Sequence, residues 1–298
     1  MNDNRARPSI RHVEVVIAVM NGENFLRQAL ESVTAQDFDG RIGCVVVDDG
    51  STDRTGEIAQ SFDFVRYHRQ ENAGQVAATN AGLSSADPEA DAILFLDHDD
   101  LLARSNIRIN AACLDAHPEW GAVGGAHIEI HGNAVPDLDT DLNGALPDLR
   151  EKSFAAIAAG DAFVPPSSCL FRRETLVALE GMRSFPSGAD LDLYMRTARA
   201  FGMGAHDAPV VFYRRHGENH SRNKARMLAA TLDVLDDHLS GNDLSEEERQ
   251  TLAEGKRHWI SLFGPVLPMD GFWALKEGRV GDAARAIALW AQLGFPRR

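Results

Sequence analysis

Cysteine is scarce, 3 residues in 298, and Cys44, Cys113 and Cys169 are odd in number and widely spaced. They make neither a disulfide framework nor a metal-spaced or redox pair, so they read as small buried thiols. Long apolar runs are missing too. Nothing approaches the roughly 18 residues of a membrane-spanning helix, and the run 13–20 is strand-sized, interrupted by Glu14 and preceded by no signal-peptide pattern. The expectation is a soluble, cytoplasmic chain, peripheral to a membrane through its acceptor at most. Positive charge is in deficit: 30 Lys and Arg against 44 Asp and Glu leave −14. Such a surface repels both the phosphate backbone of nucleic acid and anionic lipid. There is no fixed-period repeat and no low-complexity tract, while 44% hydrophobic residues are ample for a buried core.

Short runs rich in Val, Ile and Phe alternate with helix-period segments through the first half, which predicts an α/β domain around a mainly parallel sheet. Strands are predicted at 13–19, 42–47, 64–68, 92–96, 120–130 and 210–213. The helices between them are carried by Leu26, Ala29, Leu30 and Val33, by Ile58 and Ala59, and by the alanine-rich 75–83. The nearly all-apolar strand 92–96 should be central and buried on both faces. The stretch 132–147, rich in Asp, Asn, Gly and Pro, reads as a surface loop. From about 226 onward the pattern is helical, giving a domain at 1–225 and a helical C-terminal extension at 226–298. Its aromatics Trp259, Phe263, Phe272, Trp273 and Trp290 read as core or as a homo-oligomer interface rather than a sugar-stacking platform.

Open α/β sheets bind ligands beyond the carboxyl ends of their strands, and two of those ends are acidic here: Asp48-Asp49 and Asp97-His98-Asp99-Asp100. Taken singly, an Asp after a strand is an ordinary turn or cap residue. Three in four residues repel by about 1 kcal/mol or more at contact, and a divalent cation relieves that repulsion. An all-oxygen donor set of this kind suits Mg²⁺ or Mn²⁺, which in turn bridges phosphates.

The run Val15 through Glu23, the loop Val47-Asp48-Asp49-Gly50-Ser51-Thr52-Asp53, Asn72-Ala73-Gly74 and Leu96-Asp97-His98-Asp99-Asp100 together resemble a family 2 glycosyltransferase of the GT-A (Rossmann-like, three-layer) fold. Asp190-Leu191-Asp192-Leu193 and Tyr213-Arg214-Arg215-His216 are similar to its later motifs, so that the resemblance covers about residues 10–222. It implies inverting, metal-assisted transfer of a sugar from a nucleoside diphosphate donor, UDP being the commonest, to an acceptor hydroxyl in glycan synthesis. It also implies roles. Asp49 holds the base edge; Ala18, Met20 and Glu23 line the pocket for base and ribose; Asn80, His98 and Arg215 contact the donor; Asp97, Asp99 and His216 hold Mn²⁺ or Mg²⁺, with Asp100 in support; Asp190 is the catalytic base. Asp190 opens a helix, whose dipole is expected to keep it ionised, and Asp192 is a second acidic candidate. The basic segment Arg214 to Lys224, with Gly217 as a hinge, is placed to close over the pyrophosphate.

Four positions depart from the family's pattern: Ala18 stands for a Pro, Met20 for an aromatic, Thr79 for an Arg before Asn80, and Ala189 for a Glu before Asp190. They motivate an alternative, a non-catalytic nucleotide-sugar binding protein of the same fold. A haloacid dehalogenase-type phosphatase fits poorly because Asp99 is followed by Asp100-Leu101 at mid-domain. A dinucleotide oxidoreductase fits poorly because Met20-Asn21-Gly22-Glu23 has a single glycine.

Overall fold

The computed structural model describes residues 9–139, 146–162, 165–185, 187–216 and 223–294. In chain order its elements are β1 (His12–Val19), α1 (Leu26–Thr34), β2 (Arg41–Asp48), α2 (Thr55–Gln60), β3 (Val65–Arg69), α3 (Gln75–Ser85), β4 (Ala92–Phe95), β5 (Leu101–Leu102), α4 (Asn106–Ala116), β6 (Ala122–His131) and β7 (Leu149–Glu151). Then follow α5 (Phe154–Ala158), β8 (Cys169–Arg172), α6 (Arg173–Ala178), α7 (Ala189–Phe201), β9 (Met203–Arg215), α8 (Lys224–Leu239), α9 (Glu246–Phe263), α10 (Leu267–Lys276) and α11 (Val280–Gln292). The chain forms two compact units, one of Met1–Lys152, Phe163–Arg183 and Arg196–His216, the other of Ser153–Ala162, Ser184–Met195 and Gly217–Arg298.

The first unit holds one sheet in the order β3-β2-β1-β4-β8-β6-β9-β5, with β7 on β9. Its long pairings, β1 with β2 and β6 with β9, are parallel, and the antiparallel ones span only two or three residue pairs each. β1 is central, and Val13, Val15, Val16, Ile17 and Val19 are all essentially buried. Each such side chain contributes about 1.5–3 kcal/mol. The pleat sorts its neighbours. Val13, Val15, Ile17, Cys44 and Val46 face α1, α2 and α4, while Val45 and Val47 face Ala78 and Ala81 of α3, giving three layers. α1 buries Leu26, Ala29, Leu30 and Val33 on one stripe, as its spacing predicts.

Two elements differ from the sequence pattern for visible reasons. β9 runs well before residue 210, through His206, Asp207 and Pro209, which break the apolar run; register shifts opposite Ala126 absorb the proline. α4 is hidden in the sequence because its buried face carries amides: Asn106 and Asn110 are fully buried, and Asn106 Nδ2 donates to the Val210 carbonyl at 2.7 Å. All three thiols are buried and outside any disulfide among the described residues, and burial pushes Cys113 up to about 11.

The second unit is helical. Ala225, Leu228, Leu232, Leu267 and Ala286 form its core, with Trp259, Phe263 and Trp290 packed against it. A capping box between Ser245 and Glu248 starts α9. Phe272 and Trp273 stand outside that core, each 51% exposed, because α10 turns Leu267, Gly271 and Ala274 inward. No described helix is long and apolar enough to cross a membrane.

Candidate active site

β1, β2 and β4 are parallel, so Val19, Asp48 and Phe95 end at one edge of the sheet. β8 runs against β4, β6 against β8, and β9 with β6, which brings the end of β9 to that same edge. Four loops therefore meet there, those after Val19, Asp48, Leu96 and Arg215.

The first two are laced together. Asn21 N–H donates to Ser51 Oγ at 2.9 Å, Gly22 N–H to Thr55 Oγ1 at 2.8 Å, Glu23 N–H to Asp53 Oδ2 at 3.0 Å, and Arg54 N–H to Glu23 Oε2 at 3.2 Å. A Cβ at Gly22 would stand 2.4 Å from Val19 Cγ2 and 2.9 Å from the His98 ring, so only glycine lets His98 approach. Gly50, at φ +85, turns the chain between Asp49 and Ser51. Asp48 is fully buried; Ser51, the Tyr67 hydroxyl at 2.6 Å and Arg69 outweigh the cost of that burial and hold its carboxyl below the ordinary value. Asp49 Oδ1 accepts from Gln70 Nε2 and Ala73 N–H, both at 2.8 Å, and Oδ2 from Gly74 N–H at 2.9 Å. It thus shapes the 70–74 loop, and Oδ2 retains acceptor capacity. Met20 is 48% exposed beside Asn72, Glu23 is exposed, and Ala18 packs on the α3 face.

In the third loop Asp97, His98 and Asp99 are half-buried and Asp100 is buried. Asp97 N–H donates to Ser167 Oγ, whose hydroxyl donates to Asp100 Oδ2, both at 3.1 Å. Burial, then the charges of Asp97 and Asp99, push the Asp100 carboxyl well above its ordinary value. From the fourth loop, His216 Nε2 stands 2.7 Å from Asp99 Oδ2, and its ring lies 5.1 Å from that of Phe25. Residues 117 apart in sequence are thereby joined. Among the described residues Asp97 does not close a triad of ligand atoms within 4.8 Å with this pair. His12, Glu14 and Asp87 do form such a triad, at the start of β1, but Arg66 on Glu14 and Arg41 on Asp87 make it an ion-pair network. Carboxylates with one imidazole, in a turn crowded enough to push up Asp100, are a donor set that fits Mn²⁺ or Mg²⁺.

Two expected donor contacts are engaged elsewhere. Arg215 pairs with Glu129 at 2.7 Å and lies over the Tyr213 ring, and Asn80 grips the Met182 backbone through both ends of its amide, at 2.7 and 2.9 Å. The neighbouring Arg214, which the sequence does not distinguish from Arg215, is the buried one. Residues 217–222 of the expected closing segment lie outside the described residues.

Asp190 belongs to the second unit, at the start of α7, and is half-buried. The expectation that the helix dipole lowers its pKa is overturned: burial raises it, outweighing the backbone N–H bonds of Leu191 and of Asp190 itself. Asp192 is fully buried, with His238 Nε2 at 2.9 Å.

The model of "Glycosyl transferase family 2" matches residues 14–177, more than half of the chain. The chain belongs to glycosyl transferase family 2. It is similar to Glycosyltransferase GlyA of Streptococcus pneumoniae serotype 4, at 38% identity over 99 residues, a match that covers 32% of this chain and 14% of that relative's length. The fold is that of S. aureus TarS 1-349 in complex with UDP-GlcNAc, with a TM-score of 0.64 at 18% identity over 96% of this chain and 93% of that one. The mannosyltransferase PcManGT of Pyrobaculum calidifontis, in complex with GDP-Man and Mn²⁺, gives a TM-score of 0.61 at 18% identity over 98% and 78%. This family 2 chain therefore has a GT-A domain and a helical C-terminal part, and it spans well under a third of the length of relatives such as GlyA.

Proposed function

We propose that this chain is an inverting, cation-assisted glycosyltransferase that carries a sugar from a nucleoside diphosphate, UDP first, to an acceptor hydroxyl in one displacement. Residues 1–225 carry the transfer machinery and 226–298 extend it. The observation that carries the reading is the contact of His216 with Asp99 at the carboxyl edge of the sheet, the edge where β2 also ends in Asp48-Asp49. The ligands of the two structural neighbours, UDP-GlcNAc and GDP-Man with Mn²⁺, support the same chemistry.

Asp49 Oδ2 accepts from the base edge, with Met20, Ala18 and Glu23 around base and ribose. Asp97, Asp99 and His216 hold the divalent ion, which when bound offsets the charge of the diphosphate. Asp190 accepts the acceptor hydroxyl's proton as that oxygen attacks the anomeric carbon opposite the departing diphosphate. A base whose pKa is raised toward the working pH is better matched to that transfer than an ordinary carboxylate. His98, Asn80 and Arg215 act at one remove, through Gly22, the Met182 turn and Glu129.

The test is nucleotide release from a panel of UDP-, GDP- and dTDP-sugars with Mn²⁺, with and without candidate acceptors. Slow hydrolysis of one donor, accelerated by an acceptor and suppressed in Asp190→Ala at unchanged donor affinity, is the expected result. Donor binding with no release under any condition would favour the non-catalytic alternative.

A further inference from the structure

Arg214 is fully buried, and a buried guanidinium is costly unless its N–H groups are met. Its Nε donates to the Asp99 carbonyl at 2.8 Å, Nη1 to the carbonyls of Gly132 and Ala134, and Nη2 to Gln28 Oε1 at 2.7 Å. Its backbone N–H donates to Asp100 Oδ1 at 3.0 Å, and the guanidinium lies 4.9 Å from the centre of the Phe25 ring, the ring that also flanks His216. The side chain thus pins the main chain of the acidic turn, the start of the loop after β6, and α1, while the backbone N–H of the same residue holds the carboxylate behind the turn.

We infer that Arg214 is the positioning residue of this site: by fixing the Asp99 carbonyl and the Asp100 carboxylate from the buried side, it presets the turn so that Asp99 meets His216. The inference rests on the proposed cation-assisted reading. The fork geometry is essential, since an ammonium offers one point charge and cannot reach carbonyls on three segments in one plane. A substrate never touches Arg214; it works through Asp99.

Gentle variants separate this role from mere stability. Arg214→Lys keeps the charge and loses the fork, and Gln28→Ala removes one of its anchors. Arg172→Lys is the control, because Arg172 is equally a buried guanidinium on carbonyls, those of Trp120 and Leu114, away from the acidic turn. Full-length proteins are titrated calorimetrically with UDP, or with GDP if wild type prefers it, over a series of Mn²⁺ concentrations, and melted in EDTA. We expect Arg214→Lys to raise the Mn²⁺ concentration for half-maximal nucleotide uptake about tenfold, the usual effect of losing a group that supports a metal ligand. Gln28→Ala should shift it less in the same direction. Arg172→Lys should lower Tm with no such shift. If wild type takes up nucleotide with Mn²⁺ and Arg214→Lys needs no more Mn²⁺ than Arg172→Lys, the positioning role is wrong while the function stands. Absence of Mn²⁺-assisted uptake in wild type overturns both.

Discussion

At the scale of single residues, Asp48 and Asp190 show how environment assigns work to chemically identical groups. Asp48 has three donors and a depressed pKa, so its stabilising contribution is present above the ordinary carboxylate value and is lost as pH falls through its lower folded value. Tyr67→Phe removes one donor to that buried charge and should cost about 1.5–3 kcal/mol at pH 7. Thermal melts at pH 7 and in acid should show the penalty shrinking as Asp48 takes up its proton; an equal penalty throughout would mean that the hydroxyl contributes independently of the Asp48 charge. Asp190 has the opposite shift, with burial holding its proton on to higher pH. Asp190→Asn should reduce kcat by about 10²–10⁴-fold with little change in donor affinity. The acid limb of the wild-type kcat profile should lie above pH 3.8, the ordinary value, because the ionised form is the active one.

At the scale of elements, the strand ends and the order of layers were readable from composition because β1, β2 and β4 are nearly continuous apolar runs, β1 ended by an Asn-Gly turn and the other two by acidic turns. What could not be read was which distant partner each polar side chain meets. Arg214 and Arg215 look alike in sequence, yet one is buried against the Asp99 turn and the other is paired at the surface with Glu129. Asn80 resembles a ligand and instead clamps the Met182 turn, and α4 was obscured by the two amides it buries. Packing distances were equally invisible. A Cβ at Gly82 of α3 would fall 2.3 Å from Val16 Cγ1 of β1. Gly82→Ala gains about 0.5–1 kcal/mol of helix propensity but forces apart a packed layer at about 1–3 kcal/mol, so it should lower Tm by several degrees. A Tm at or above wild type would show that α3 rides loosely on the sheet.

At the scale of the whole molecule, the proposed reaction asks a chain of charge −14 to take up an anionic donor. The bulk field opposes that, so the attraction would come from a divalent ion held locally, at the edge where Asp49, the acidic turn and His216 gather. The fold explains why those groups gather: two reversals, β4 to β8 and β8 to β6, with β9 parallel to β6, return the chain's late motif to the edge where its early motifs end. The most direct test is calorimetry of nucleotide binding by wild type and Asp99→Ala, each with Mn²⁺ and with EDTA. The account predicts uptake by wild type that is much stronger with Mn²⁺ and loses that enhancement in Asp99→Ala, while both proteins melt alike in EDTA. Equal binding with and without Mn²⁺, or an Asp99→Ala variant indistinguishable from wild type, would contradict it.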